Sequence, residues 1–168
     1  GESGLRTIRD RHFQMAHRHR LSLIDSESGD VVLPEGHPAD EWLPRLSGEL
    51  FTAVKGYAGP GEGIGNLVYS IGTYGSWSWK NKGQATFWKN ADAWERWFAE
   101  KFPKVERFLY LVDESTNYAE TESWAKLAKE NPGVGRKLKT FATIPLPKGA
   151  EFVPSLDIYA SWFTVGKI

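Results

Sequence analysis

The chain has 168 residues, 40% hydrophobic and 25% charged, which suits one globular domain with a sizeable core. Lysine plus arginine equals aspartate plus glutamate, 21 each, so no global field points to nucleic acid or to an anionic membrane surface. Zero cysteines exclude disulfides and thiolate metal sites, and no apolar run approaches the roughly 20 residues that span a bilayer.

The informative excess is aromatic: eight Trp, six Tyr and nine Phe make up 14% of the chain. Two uses fit it. One is a large aromatic core, the commoner fate of such residues. The other is a cleft in which flat rings stack on sugar faces.

Residues 5–18 read as a helix, with Leu5, Ile8, Met15 and Ala16 as apolar positions. The first ten residues are polar and do not read as a signal peptide. His17, Arg18, His19 and Arg20 form a basic cluster where a helix carboxyl end favours cations. No third ligand is spaced to make it a metal site. Leu21, Leu23 and Ile24 suggest a short strand closing in Asp25. A polar connection follows, holding Gly29, Pro34, Gly36 and Pro38. Residues 39–50 are a short helix candidate with Trp42, Leu43, Leu46 and Leu50 at near-helical spacing.

Residues 51–90 interleave glycines with Tyr57, Tyr69, Tyr74, Trp77, Trp79, Phe87 and Trp88. The run from Gly59 to Gly65 superficially resembles a phosphate-binding loop. It lacks the Walker lysine, and residues 67–71 after it read as strand, not helix. A flexible loop and an aromatic loop beside an active site both fit the stretch.

Residues 90–102 give the clearest helix, capped by Asn90 or Asp92, with Trp94, Trp97, Phe98 and Phe102 on one face. Pro103 ends it. The apolar run Phe108 to Val112 then reads as a strand buried on both faces, and it stops abruptly at Asp113 and Glu114. A helix over residues 120–129 follows, opened by Thr121 and Glu122 and stopped by Asn131-Pro132-Gly133. Residues 138–144 read as strand, 145–149 as loop and 156–163 as a further strand. This alternation predicts a parallel α/β fold.

In such folds chemistry collects at the carboxyl ends of strands. Asp113 and Glu114 are therefore the strongest functional candidates. Adjacent carboxylates push each other's pKa values apart, so that one holds a proton while the other stays charged. Neighbouring residues of a regular strand point to opposite faces, so both reach one site only where the strand ends at the pair. A solvated strand end or a helix N-cap region is the other reading. By loop and strand-end position, Tyr110, Tyr118, Trp77, Trp79, Tyr159 and Trp162 are expected near the site. Asp157 is a weaker candidate. Asp113, Glu114 and Asp157 at successive strand ends would alternatively suit magnesium or calcium.

The segment Leu109-Tyr110-Leu111-Val112-Asp113-Glu114 resembles the catalytic strand of glycoside hydrolase family 123 and of related glycosidase-like proteins. There an apolar strand ends in Asp-Glu, followed by a helix, a Thr-rich strand and an Asp-hydrophobic-aromatic run. Here these are residues 120–129, residues 139–144 and Asp157-Ile158-Tyr159. Residues 15–23 also resemble an early helix-to-strand step of that group. Ser115 departs from the usual proline. The resemblance implies a (β/α)8-type barrel that hydrolyses 2-acetamido sugars with help from the substrate's own acetamido group. Glu114 would be the general acid/base, and Asp113 would orient the acetamido group. A full barrel takes about 250 residues, so the expected fold is a partial or reduced barrel. Residues 1–168 would be a single α/β domain of a larger barrel, pairing with the remainder or with a second copy. The expectations are a carbohydrate substrate, no cofactor, no nucleic acid and no membrane insertion, in a secreted or periplasmic bacterial setting. A non-catalytic carbohydrate-binding or structural domain is the alternative.

Overall fold

The computed structural model describes residues 2–24 and 36–161. Helix α1 (Glu2–Arg18) comes first, then the short α2 (Leu43–Ser47). Strand β1 (Val68–Ile71), α3 (Gln84–Lys101), β2 (Glu106–Val112), α4 (Tyr118–Lys129), β3 (Lys139–Thr143), α5 (Leu146–Phe152) and β4 (Ile158–Ala160) follow in alternation. The four strands form one sheet in the order β1-β2-β3-β4, and every pair is parallel.

Parallel strands laid down in sequential order, with right-handed crossovers, carry their helices on one face. The contacts agree. Tyr69 of β1 meets Trp94 and Phe98 of α3, and Gly149 of α5 lies against the Tyr159 ring of β4. Leu109 and Leu111 are 1% and 0% exposed. Alternate positions point the other way. Phe108, Phe141, Thr143, Ile158 and Ala160 there are half-buried rather than sealed. Tyr110 is buried among them. Phe108 stacks on Phe141 at 4.8 Å, and Phe141 meets Tyr110 edge-on at 4.6 Å. The parallel α/β expectation holds. A closed barrel is not formed among the described residues, because the sheet has four strands and stays open at β1 and β4.

The Gly-rich stretch is neither a phosphate loop nor a slack one. Its backbone is packed onto α2 and the turn after it. Asn66 N–H donates to Arg45 O at 2.8 Å, and Gly63 N–H donates to Phe51 O at 2.9 Å. A Cβ on Gly65 would lie 1.9 Å from Leu46 O, and one on Gly48 would lie 2.1 Å from Gly63 O. Only glycine permits that approach. His17 of α1 closes the assembly, with Nε2 donating to Ile64 O at 2.9 Å. Gly48, at φ +88°, also breaks the expected helix over 39–50 into α2 flanked by short 3-10 turns.

Other boundaries moved for local reasons. Helix α3 starts at Gln84, so Asn90 is interior and its side chain donates back to Thr86 O at 2.8 Å. Asp92 is no cap either. It accepts from Gly135 N–H at 2.7 Å and Asn131 Nδ2 at 3.1 Å, tying α3 to the turn before β3. Residues expected as loop after β3 form α5, with Pro147 in its first turn, where a missing N–H breaks no helical bond. Residues 21–24 are not a strand, and Asp25 lies outside the described residues.

Strand β2 is joined to α3 by a buried ion pair. Glu95 is 3% exposed. It accepts from Arg107 Nε at 3.0 Å and also from Arg107 Nη2. Removing one member of such a pair strands the other charge, so Glu95→Ala is expected to cost about 3–5 kcal/mol in urea unfolding. A loss under about 1 kcal/mol would show that the pair behaves as a solvated surface contact.

Candidate functional site

Strand β2 ends at Val112, which frees Asp113 and Glu114 from strand alternation. Both are exposed. Glu114 has φ +48°, a left-handed conformation uncommon outside glycine, asparagine and aspartate. This turns the chain immediately after the pair. The condition for two neighbouring carboxylates to share one end of the sheet is therefore met. The pair does not cap the following helix. Asn117 does that, with Oδ1 accepting from Glu120 N–H at 3.3 Å and Nδ2 donating to Glu120 Oε2 at 3.1 Å. Ser115, where proline was expected, accepts from Asn117 N–H through Oγ at 3.1 Å.

The two carboxylates are held differently. Tyr110 Oη donates to Asp113 Oδ1 at 2.8 Å and lies 2.5 Å from Thr143 Oγ1. A phenol has one proton, and that proton is committed to Asp113. Thr143 must then donate to Tyr110, giving a directional chain from Thr143 to Tyr110 to Asp113. The Tyr110 pKa is pushed up to about 12, chiefly by burial. The Thr143 hydrogen bond opposes that shift and the Asp113 carboxylate reinforces it. Glu114 makes no hydrogen bond or ion pair among the described residues.

The aromatic assignments are largely corrected. Trp77 and Trp79 are 3% and 2% exposed and form the core with Phe87 and Trp124. Edge-to-face packing occupies their rings, so neither offers a face to a sugar. Trp77 Nε1 instead donates to Leu111 O at 3.2 Å. Tyr159 lies on the helix side, its hydroxyl donating to Val153 O at 2.8 Å. Tyr118 opens α4 near the carboxyl end of β2, but its ring stacks on Phe152 at 5.6 Å. Trp162 lies outside the described residues.

Asp157 belongs to the opposite end of the sheet. It precedes β4, and its Oδ2 accepts from Thr140 N–H and Oγ1, at 2.8 and 2.9 Å, near the start of β3. It is a strand-start anchor and cannot share a cation with Asp113 and Glu114. Among the described residues no cluster of three metal-ligating side chains occurs, and no helix is long and apolar enough to cross a membrane.

Sequence reasoning placed no weight on Tyr74, which lies at this end of the sheet. Its ring centroid is 6.0 Å from that of Tyr110, and it is 63% exposed. Thr143 was likewise overlooked. The only signal for it was the Thr-rich composition of β3, which pairs parallel to β2 with a register shift after Tyr110. The larger cavities lie elsewhere. One of about 460 Å³ is lined by Leu46, Lys101 and Val105, one of about 400 Å³ by Trp79, Phe87 and Trp124, and one of about 380 Å³ lies beside His17 and Pro60. None of the three contains a carboxylate pair, so the strand-end geometry is the better guide to chemistry. Comparison with protein-family models, curated proteins and solved structures finds no match for this chain.

Because Trp77 is a core residue, Trp77→Ala is expected to cost about 3–5 kcal/mol in chemical unfolding. A stable variant with impaired sugar binding would restore the platform role. Tyr110 gives a pH signature. An unfolded tyrosine ionises near 10, while the folded phenol keeps its proton to about 12. The unfolded state then binds fewer protons, so stability falls as pH rises through this window. Tyr110→Phe is expected to flatten that fall, measured by urea unfolding at stepped pH. An unchanged slope would contradict the assignment.

Proposed function

We propose that this chain provides the carboxylate-bearing strand of a glycoside hydrolase-like site for 2-acetamido sugars. The observation that carries the reading is the unequal treatment of two adjacent carboxylates at the carboxyl end of a parallel sheet. Asp113 is fixed by Tyr110, while Glu114 has no hydrogen-bond or ion-pair partner among the described residues. Substrate-assisted hydrolysis needs one carboxylate of each kind. In that reaction Glu114 gives its proton to the glycosidic oxygen as the C1–O bond breaks. The acetamido carbonyl oxygen attacks C1 from the opposite face. Asp113 accepts a hydrogen bond from the acetamido N–H and its negative charge stabilises the positive charge that develops there. Glu114 then takes a proton from water as that water attacks C1 and opens the cyclic intermediate, which restores the protonated Glu114, the charged Asp113 and the free acetamido group.

The single-wound sheet supports this reading as well. Sequential parallel strands with helices on one face are the arrangement within a (β/α)8 barrel, whose chemistry lies at the strand carboxyl ends. The half-buried opposite face is where such a barrel would close, through the remainder of a longer chain or a second copy.

The test is hydrolysis of aryl β-N-acetylglucosaminide and β-N-acetylgalactosaminide. Glu114→Gln is expected to reduce turnover by at least a hundredfold with sugar binding retained. Asp113→Asn should also lower kcat. Saturable sugar binding without turnover by the folded wild-type chain would indicate a binding module instead. Neither binding nor turnover would end the glycosidase reading.

A further inference from the structure

The turn after β1 is built against the preferences of its own sequence. Thr73 and Ser76 form an antiparallel bridge, with Ser76 N–H donating to Thr73 O at 3.0 Å. The two residues between them, Tyr74 and Gly75, have φ +53° and +77°. Positive φ at both central positions is the signature of a type I′ turn, whose first central residue is normally Asn, Asp or Gly. A tyrosine there is strained by contact of its Cβ with the backbone. Gly75 is explained by packing. A Cβ on it would lie 2.9 Å from Leu111 O and 3.1 Å from Val112 Cα. Tyr74 has no such explanation, since the residue is 63% exposed and buries little apolar area.

What the strain accomplishes is a position. Gly75 against Leu111 and Val112, with the Trp77 indole on Leu111 O, presses the turn onto the last residues of β2. Lys80 Nζ adds a bond to Gly75 O at 3.4 Å. The tyrosine is thereby carried to the side of Tyr110, the residue that holds Asp113. The two rings are tilted by 45°. An exposed aromatic face one side chain away from a fixed carboxylate has the chemistry to bind a pyranose through its C–H face while leaving its polar groups to the carboxylates.

We propose that Tyr74 is the stacking platform for the sugar ring bound at Asp113 and Glu114, kept in a strained turn for that purpose. The proposal rests on the glycosidase-like reading of the pair and names the residue that would confer affinity for a pyranose. It predicts opposite effects on stability and binding, which a residue with a merely structural role would not give. Tyr74→Asn relieves the strain and removes the ring. It is expected to raise Tm by roughly 2–4 °C while weakening binding of methyl β-N-acetylglucosaminide or methyl β-N-acetylgalactosaminide about tenfold, followed by NMR titration. Tyr74→Phe keeps the ring and is expected to bind within about twofold of wild type. A Tyr74→Asn variant that binds as wild type overturns the platform and leaves the carboxylate reading standing. A lower Tm with unchanged affinity marks Tyr74 as structural and overturns it too. Absence of saturable binding of either sugar by folded wild type overturns both.

Discussion

Strand β2 is the constraint on which the rest of the molecule depends. It is hydrogen-bonded on both edges, to β1 and to β3, and Leu109 and Leu111 at its centre are among the least exposed of the described residues. Such a strand has to be apolar on both faces, which is why Phe108 to Val112 contains no charge. Each neighbour is then placed by what it offers β2. Helix α3 supplies Glu95 to Arg107 at its start. The turn after β1 supplies Trp77 and a bare Gly75 to its end. Strand β3 supplies Thr143 to the Tyr110 hydroxyl.

That last contact links packing to chemistry. Tyr110 is buried on the half-open face, yet its phenol must find partners. It finds them in a hydroxyl and a carboxylate, and the outcome is an ordered Asp113 beside a Glu114 that has no partner among the described residues. The asymmetry arises from strand geometry: alternation places Tyr110 and not Leu111 on this face, and the end of pairing at Val112 releases the two acids. The left-handed Glu114 completes the arrangement by turning the chain before Asn117 begins α4.

Much of this was legible in the sequence, and the exceptions have physical causes. The central strand was visible because an apolar run of five residues bounded by acids admits few readings. The parallel order of strands followed from alternation with helices. The carboxylate pair was legible for the same reason, as an abrupt change of polarity at a strand end. The tryptophans were misplaced because composition cannot distinguish a ring that packs from a ring that binds. Only the tertiary contacts show Trp77 and Trp79 edge-to-face within the core. Asp157 was placed at the wrong end because it was grouped with the strand-end acids, although a strand over residues 156–163 already puts it at the start; β4 begins at Ile158, just after it. Tyr74 did not stand out in the sequence because what distinguishes it is a backbone angle, φ +53°, and a place beside Tyr110. Helix α5 was hidden by Pro147 and Gly149, the first tolerated in an opening turn and the second needed where Tyr159 crosses close.

The central claim is that one end of the sheet, defined by Tyr74, Tyr110, Asp113 and Glu114, receives a 2-acetamido sugar. The most direct measurement is the aromatic carbon–proton NMR spectrum of the whole chain, with assigned tyrosine and tryptophan rings, during titration with N-acetylglucosamine and N-acetylgalactosamine. The account predicts progressive shifts of the Tyr74 and Tyr110 rings with Trp77 and Trp79 unmoved. Shifts at the buried tryptophans with Tyr74 and Tyr110 unmoved, or no saturable shift at all, would contradict it.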